Sequence, residues 1–131
     1  MRKFFAIALI ATVGIGGMSI RSEAFEMRPH CKGYRTNVNT ARCAARVNHI
    51  DVEKFIAVGN CESGWQSEPR RYSRHHGPLQ YLTSTFDSHM SYFPKYRRWH
   101  GLVWNVHHVR SQIMIAARYI RFHGWSPWSC A

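Results

Sequence analysis

Apolar residues recur at three- and four-residue steps in two segments of the chain, and this spacing predicts two amphipathic helices. In the first, residues 51–60, the side chains of Val52, Phe55 and Ile56 fall on one face. Asp51 can begin this helix because its carboxylate accepts hydrogen bonds from the free amides of the first turn. A buried face of this kind predicts a helix that packs against a core.

The last helix has the clearest period. Its apolar positions are Val106, Val109, Ile113, Ala116 or Ala117, and Ile120. The small Ala116 and Ala117 permit close packing against the first helix, Gly124 is predicted to end the helix, and Pro127 prevents it from restarting. No alternating run predicts more than a short hairpin, so the expected fold class is mainly α.

The chain divides into three predicted segments within a length, 131 residues, that suits a single domain. Residues 1–24 combine a basic start, an apolar run and a small-x-small ending at Ala24, which predicts a cleaved secretory signal. An uncleaved membrane anchor is the alternative, and the glycines and Arg21 that follow the apolar run disfavour it. Residues 25–50 form an N-terminal arm of unclear role, and residues 51–131 form the main domain.

The arm carries little sequence signal apart from one short helix. Residues 40–47 predict this helix, with Cys43 and Val47 on its inner face. The arm is either a small segment closed by a disulfide or an additional wall-binding segment.

The chain is strongly basic, with a formal charge of +11 at pH 7. Removing residues 1–24 takes away three basic residues and one acidic residue, which leaves 15 basic and 6 acidic residues and a charge of +9. A basic exported protein is attracted to polyanions such as anionic wall polymers, lipid headgroups or peptidoglycan carboxylates. Nucleic acid is not an expected partner, because the arginines are scattered and no nucleic-acid motif is present.

Four cysteines lie in the segment that would remain after cleavage: Cys31, Cys43, Cys61 and Cys130. An even count in an exported chain predicts two disulfides, with three possible pairings. A zinc site is the alternative, but no Cys-x-x-Cys occurs and the paired histidines are adjacent in sequence. We therefore expect no metal and no cofactor.

Glu62 is the candidate catalytic residue. It follows the first helix and precedes Gly64, near the negative end of the helix dipole, which disfavours a charged carboxylate there. The neighbouring Trp65 would exclude water and act in the same direction. A protonated carboxyl is what a general acid for glycoside cleavage requires. The alternative is a solvated residue at a helix end.

Several short motifs resemble, in order, the lysozyme-like domain of resuscitation-promoting factors and related lytic transglycosylases of bacteria and phages. These motifs are Phe55-Ile56-Ala57, Cys61-Glu62-Ser63-Gly64, Gly77-Pro78-Leu79-Gln80-Tyr81, Ser84-Thr85-Phe86, Gln112-Ile113 with Ala116-Ala117, and Gly124-Trp125-Ser126-Pro127-Trp128 before Cys130. Together they cover most of residues 52–130. The resemblance implies a small lysozyme-like fold with a substrate cleft and with Glu62 at its base.

The resemblance also implies a disulfide pairing and a set of substrate contacts. It pairs Cys61 with Cys130, which leaves Cys31 with Cys43. The substrate-binding residues that it implies are Gln80, Tyr81, Thr85 and Gln112. The chain departs from the family at Pro78, which replaces a small residue and removes an N–H donor, and at Phe86, which replaces a tryptophan.

Two further stretches offer contacts for a glycan. The loop over residues 67–76 is rich in arginine, and Arg70, Arg71 and Arg74 are either carboxylate ligands or a solvated basic loop. Residues 89–105 are rich in aromatic and basic groups, which either extend the glycan groove or pack over the helical core.

The predicted function is cleavage of the β-1,4 bond between N-acetylmuramic acid and N-acetylglucosamine in peptidoglycan. A hydrolase normally adds a second carboxylate, for which Glu68 and Asp87 are the only candidates. With Glu62 alone, a transglycosylase that forms a 1,6-anhydro product is favoured over a hydrolytic lysozyme. The competing classes are a non-catalytic wall-binding or virion protein and a membrane-disrupting cationic helix. We expect a secreted monomer that acts on glycan strands, with no membrane span after signal cleavage.

Overall fold

The computed structural model describes residues 25–68 and 73–131. The predicted signal segment, Arg70 and Arg71 lie outside the described residues. A 3-10 turn, Pro29–Cys31, precedes five helices, which are α1 (Asn37–Val47), α2 (Val52–Ser63), α3 (Thr83–Tyr92), α4 (Pro94–Trp99) and α5 (Val109–His123). Within the described ranges there is no strand, only an isolated antiparallel bridge between His76 and Tyr81. The expectation of a mainly α fold is therefore confirmed.

Helix α2 has the predicted start and extends three residues further than predicted. The Asp51 carboxylate accepts a hydrogen bond from the Lys54 amide at 2.9 Å, as expected for an N-cap. The helix continues to Ser63 because the residue that ends it is Gly64, whose φ of 66° is in the left-handed region. Glu62 is therefore part of the last turn of α2.

Helix α1 belongs to the core rather than to a separate arm. The Thr36 side chain caps it, and Ala41, Cys43, Ala44 and Ala45 are fully buried where α1 packs against α2 and α5. Small alanine side chains allow helices to approach closely, which explains how this segment fits into the interior. Residues 25–50 thus share one hydrophobic core with the rest of the described chain.

Helix α5 is the centre of the bundle. It begins at Val109, later than the apolar period indicated, because His108 takes the N-cap position and accepts a hydrogen bond from the Ser111 amide. Residues 111–117 are all buried, so this part of the helix is surrounded by protein. Gly124 ends α5 as predicted. None of the helices in the described part of the chain is both long and apolar enough to span a bilayer.

Both expected disulfides form, Cys31–Cys43 and Cys61–Cys130. The first links the 3-10 turn to α1. The second links the last turn of α2 to the C-terminal tail, so residues next to Glu62 and residues next to Cys130 are held together.

Candidate active site

A cavity of about 170 Å³ lies at the C-terminal end of α2. Its lining residues come from α2, the following loop, α3 and the C-terminal tail: Glu62, His75, Leu79, Gln80, Tyr81, Leu82, Thr85, Pro127, Trp128 and Ser129. Four of the sequence-predicted site residues, Glu62, Gln80, Tyr81 and Thr85, are brought together here. Gln112 is the one that is not.

Glu62 is half-buried at one wall of this cavity. The next residue, Ser63, donates a hydrogen bond from its hydroxyl to the carbonyl of Pro78 at 2.7 Å. This bond joins the end of α2 directly to the loop over residues 76–81. The carboxyl group is therefore placed against a loop that is fixed to its own helix.

The loop over residues 76–81 is a tight turn held mainly by its own backbone. The His76 amide donates to the Tyr81 carbonyl at 2.8 Å, and the Tyr81 amide donates to the His76 carbonyl at 2.9 Å. The Gln80 side chain donates to the Gly77 carbonyl at 2.9 Å, so its amide NH₂ is partly occupied within the turn. Its oxygen is the group of this amide that can still accept a hydrogen bond from a ligand.

Gln112 lies beneath the loop, and its side chain is completely buried. Its Nε2 donates to the carbonyls of His76 at 2.9 Å and Val106 at 2.6 Å, and its Oε1 accepts from the Leu79 amide at 3.3 Å. A Cβ at Gly77 would overlap the end of this side chain, and the φ of 67° at this residue lies in the left-handed region, so glycine is favoured there. The expectation of a direct substrate contact is corrected, since the structure makes Gln112 a positioning residue for the loop.

Replacing Gln112 with leucine is expected to lower the free energy of unfolding by about 2–4 kcal/mol, because the buried groups that it pairs would be left unsatisfied. Chemical denaturation measures this difference. Gln66→Leu removes an exposed glutamine and should change stability by less than about 0.5 kcal/mol. Equal effects of the two substitutions would contradict the positioning role.

Two buried aromatic side chains, Tyr81 and Trp128, line one side of the cavity. The Tyr81 hydroxyl lies 2.8 Å from Nδ1 of His89, and the Trp128 indole donates to the Leu79 carbonyl at 3.1 Å. Burial raises the pKa of Tyr81 well above 10.0, so its hydroxyl stays protonated and donates to His89. Burial, followed by the charge of His123, lowers the pKa of His89 to about 4. His89 is thus a neutral acceptor that fixes the Tyr81 ring.

This histidine makes stability depend on pH. The folded-state pKa of His89 is about 4 and its ordinary value is 6.5, so only the unfolded chain binds the proton between these values. Stability should fall as pH is lowered from about 6.5 to about 4. His100, whose pKa burial and then His30 lower to about 4, contributes in the same window.

The His89→Gln variant is therefore expected to show a smaller drop in Tm between pH 7 and pH 4.5 than the wild type does. The double variant, His89→Gln with His100→Gln, should show a still smaller drop. Thermal unfolding followed by circular dichroism measures this. The exposed His49→Gln is the matched control and should keep the wild-type pH profile. An unchanged profile in the double variant would contradict the assignment.

Trp65 does not have the position expected for it. Its ring folds back along α2, 5.6 Å from the ring of Phe55, and its indole donates to the Ile56 carbonyl at 3.0 Å. Trp65 does not line the cavity, and Trp128 provides the aromatic wall instead. Trp128 lies two residues before Cys130, and the Cys61–Cys130 disulfide is the signal that could have identified the tail as part of the site.

The other candidate ligands lie away from the cavity. Glu68, Arg74 and Asp87 are exposed, and Asp87 accepts a hydrogen bond from the Trp104 indole at 2.8 Å. Of the residues that the structure describes, Glu62 is the only carboxylate that lines the cavity. In the same residues, no group of three histidine, cysteine or acidic side chains could hold a metal ion.

The aromatic stretch over residues 89–105 is partly buried in the core and partly exposed. His89 and Tyr96 are buried and pack in the core, and the Tyr96 hydroxyl is 2.9 Å from the Asn48 amide nitrogen. Trp99 and Trp104 are exposed. Neither lines the cavity, so this stretch is not an extension of it.

The fold and the site define a small, mainly α, disulfide-linked domain in which, among the described residues, a single carboxyl group lies in the wall of a cavity. No protein-family model, curated protein or solved structure matches the chain. The resemblance to lysozyme-like domains therefore rests on the order of the sequence motifs.

Proposed function

We propose that the protein is a peptidoglycan-cleaving glycosidase with a lysozyme-like fold, and that it acts as a lytic transglycosylase through Glu62. The observation that carries this proposal is the cavity in which Glu62 is the single lining carboxylate of the described residues. The ordered motifs add independent support. Two disulfides also suit an oxidising, extracytoplasmic compartment, where peptidoglycan is found.

The proposed reaction uses one carboxyl group twice. Glu62 first donates its proton to the glycosidic oxygen, and the bond from this oxygen to C1 of N-acetylmuramic acid breaks. The resulting carboxylate then removes the proton from the 6-hydroxyl of the same sugar, whose oxygen attacks C1. The products are a 1,6-anhydro end and a free 4-hydroxyl, and Glu62 regains its proton without consuming water.

The neighbouring residues of the cavity suit a sugar ligand. Gln80 and Thr85 supply polar groups, while Tyr81 and Trp128 supply aromatic surface. A lysozyme-type hydrolase would use a second carboxylate to activate water or to attack C1. The exposed positions of Glu68 and Asp87 make that route the second candidate.

Mass spectrometry of muropeptides released from purified peptidoglycan tests the reaction. Anhydro-muramoyl ends are expected from the oxidised protein without its first 24 residues, and reducing ends would replace the transglycosylase with a hydrolase. Absence of released product from several wall types would contradict an enzyme. Wall binding in that case would favour the non-catalytic class.

A further inference from the structure

The outer face of α4 carries cations and an exposed aromatic ring. At about 100° of rotation per residue, Lys95, Arg98 and Trp99 fall within about 100° of arc, and the buried Tyr96 lies outside this arc. Lys95 and Arg98 are exposed, and Trp99 exposes 75% of its surface. Among the described residues, Trp99 is the most exposed of the large apolar side chains.

Two more exposed rings lie beside Phe93, the residue that precedes α4: Tyr92 at the end of α3 and Phe122 in α5. Tyr92 and Phe122 are 57% and 56% exposed, and the Phe122 ring lies 5.8 Å from the ring of Phe93. The guanidinium of Arg118 lies 4.5 Å from the Phe122 ring centroid. The α4 surface is defined here as Tyr92, Lys95, Arg98, Trp99 and Phe122.

This surface lies in a part of the chain that has no acidic residue. Residues 88–131 contain six lysines and arginines and neither aspartate nor glutamate. No residue of the α4 surface lines the cavity that contains Glu62. The surface is therefore exposed and basic, and it is separate from the candidate active site.

We propose that the α4 surface binds peripherally to the anionic headgroups of a phospholipid bilayer. Lysine and arginine are attracted to anionic lipids, while tryptophan and tyrosine are favoured at the membrane–water interface. Trp99 lies with Lys95 and Arg98 on one face of a short helix. A flat, deformable bilayer fits such a protruding face better than does a peptide chain, which needs a groove. The proposal does not depend on the activity of Glu62.

Co-sedimentation with vesicles tests the proposal. The protein without its first 24 residues is expected to bind vesicles of phosphatidylcholine mixed with phosphatidylglycerol at low salt, and not vesicles of phosphatidylcholine alone. Lys95→Gln with Arg98→Gln should weaken binding by about 20- to 30-fold, at about fivefold per charge. The matched control, Lys32→Gln with Arg35→Gln, removes two exposed cations elsewhere and should keep most of the affinity.

Brominated acyl chains test whether the aromatic rings enter the interface. They should quench the tryptophan fluorescence of the bound protein, and Trp99→Phe should remove most of this quenching while binding and circular dichroism are retained. Equal weakening by the two charge pairs, or quenching unchanged in Trp99→Phe, would overturn the proposal. Binding to soluble poly(glycerol phosphate) without vesicle binding would replace the bilayer with a phosphate polymer.

Discussion

Replacing Glu62 with glutamine is expected to lower the rate of glycan cleavage by about 10²- to 10⁴-fold, the range in which a positioned general acid contributes. Glutamine has nearly the same shape as glutamate but cannot supply the proton that the leaving oxygen needs. The fold should be preserved, because Glu62 is half-buried at the cavity wall and glutamine fills the same space. Release of soluble muropeptides from purified peptidoglycan measures the rate.

The matched control for this substitution is Glu53→Gln. Glu53 is in the first turn of the same helix, is exposed and does not line the cavity. Its replacement makes the same chemical change, carboxyl to amide, in the same helix, so an effect that does not depend on the cavity would appear in both variants. A loss of cleavage in Glu62→Gln alone supports the acid role, whereas equal activities in the two variants would disprove it.

Glu68→Gln distinguishes the two enzymatic routes. If Glu62 acts alone, this variant should cleave at nearly the wild-type rate and give the same anhydro product. A hydrolase that depends on Glu68 would lose most of its activity. The comparison is informative because Glu68 is exposed in the structure and does not line the cavity, so its replacement should not disturb the site.

The parts of the fold that the sequence predicted well are those set by local chemistry. Asp51 caps α2 and Gly124 ends α5, because a capping carboxylate and a glycine act on the backbone within a few residues. The apolar period located α5, although the N-cap at His108 displaced its first residue. Local signals of this kind do not require knowledge of which elements pack together.

The parts that were missed depend on tertiary packing. The sequence predicted a short helix with an inner face in this segment, but it did not indicate that the helix packs against both α2 and α5. Gln112 is a polar residue on an apolar helix, and its backbone acceptors, on His76 and Val106, become visible only once the loop is folded over it. A buried amide and a substrate-binding amide have the same sequence signature.

In the candidate site, too, some features were predicted from the sequence and others depended on tertiary packing. Glu62, Gln80, Tyr81 and Thr85 converge at one cavity as the motifs implied. The role of His89 was missed because it depends on the hydrogen bond to the Tyr81 hydroxyl. That bond forms only when the fold buries both side chains together. Aromatic residues near the acid in sequence were poor guides to the cavity wall, since Trp65 turns away from it and Trp128 reaches it through the tail.

Removing the Cys61–Cys130 disulfide is expected to have the largest effect on stability. Its ends are 69 residues apart, and closing a loop of this length stabilises the folded state by about 4 kcal/mol in the chain-entropy model. This amount is large against the roughly 5–15 kcal/mol that stabilises a typical domain. Cys61→Ala with Cys130→Ala should therefore lower the unfolding free energy by about 4 kcal/mol in chemical denaturation.

Removing the Cys31–Cys43 disulfide is the matched control, because it should lower stability without changing the geometry of the candidate active site. Its ends are 12 residues apart, so its removal should cost about 3 kcal/mol by the same model. Under conditions where circular dichroism shows both variants folded, only the loss of Cys61–Cys130 should reduce cleavage. That bridge holds Trp128 and Ser129 against the cavity beside Glu62, whereas Cys31 and Cys43 do not line it. Equal activity in the two folded variants would mean that the tail stays in place without its disulfide, held by the bond from the Trp128 indole to Leu79.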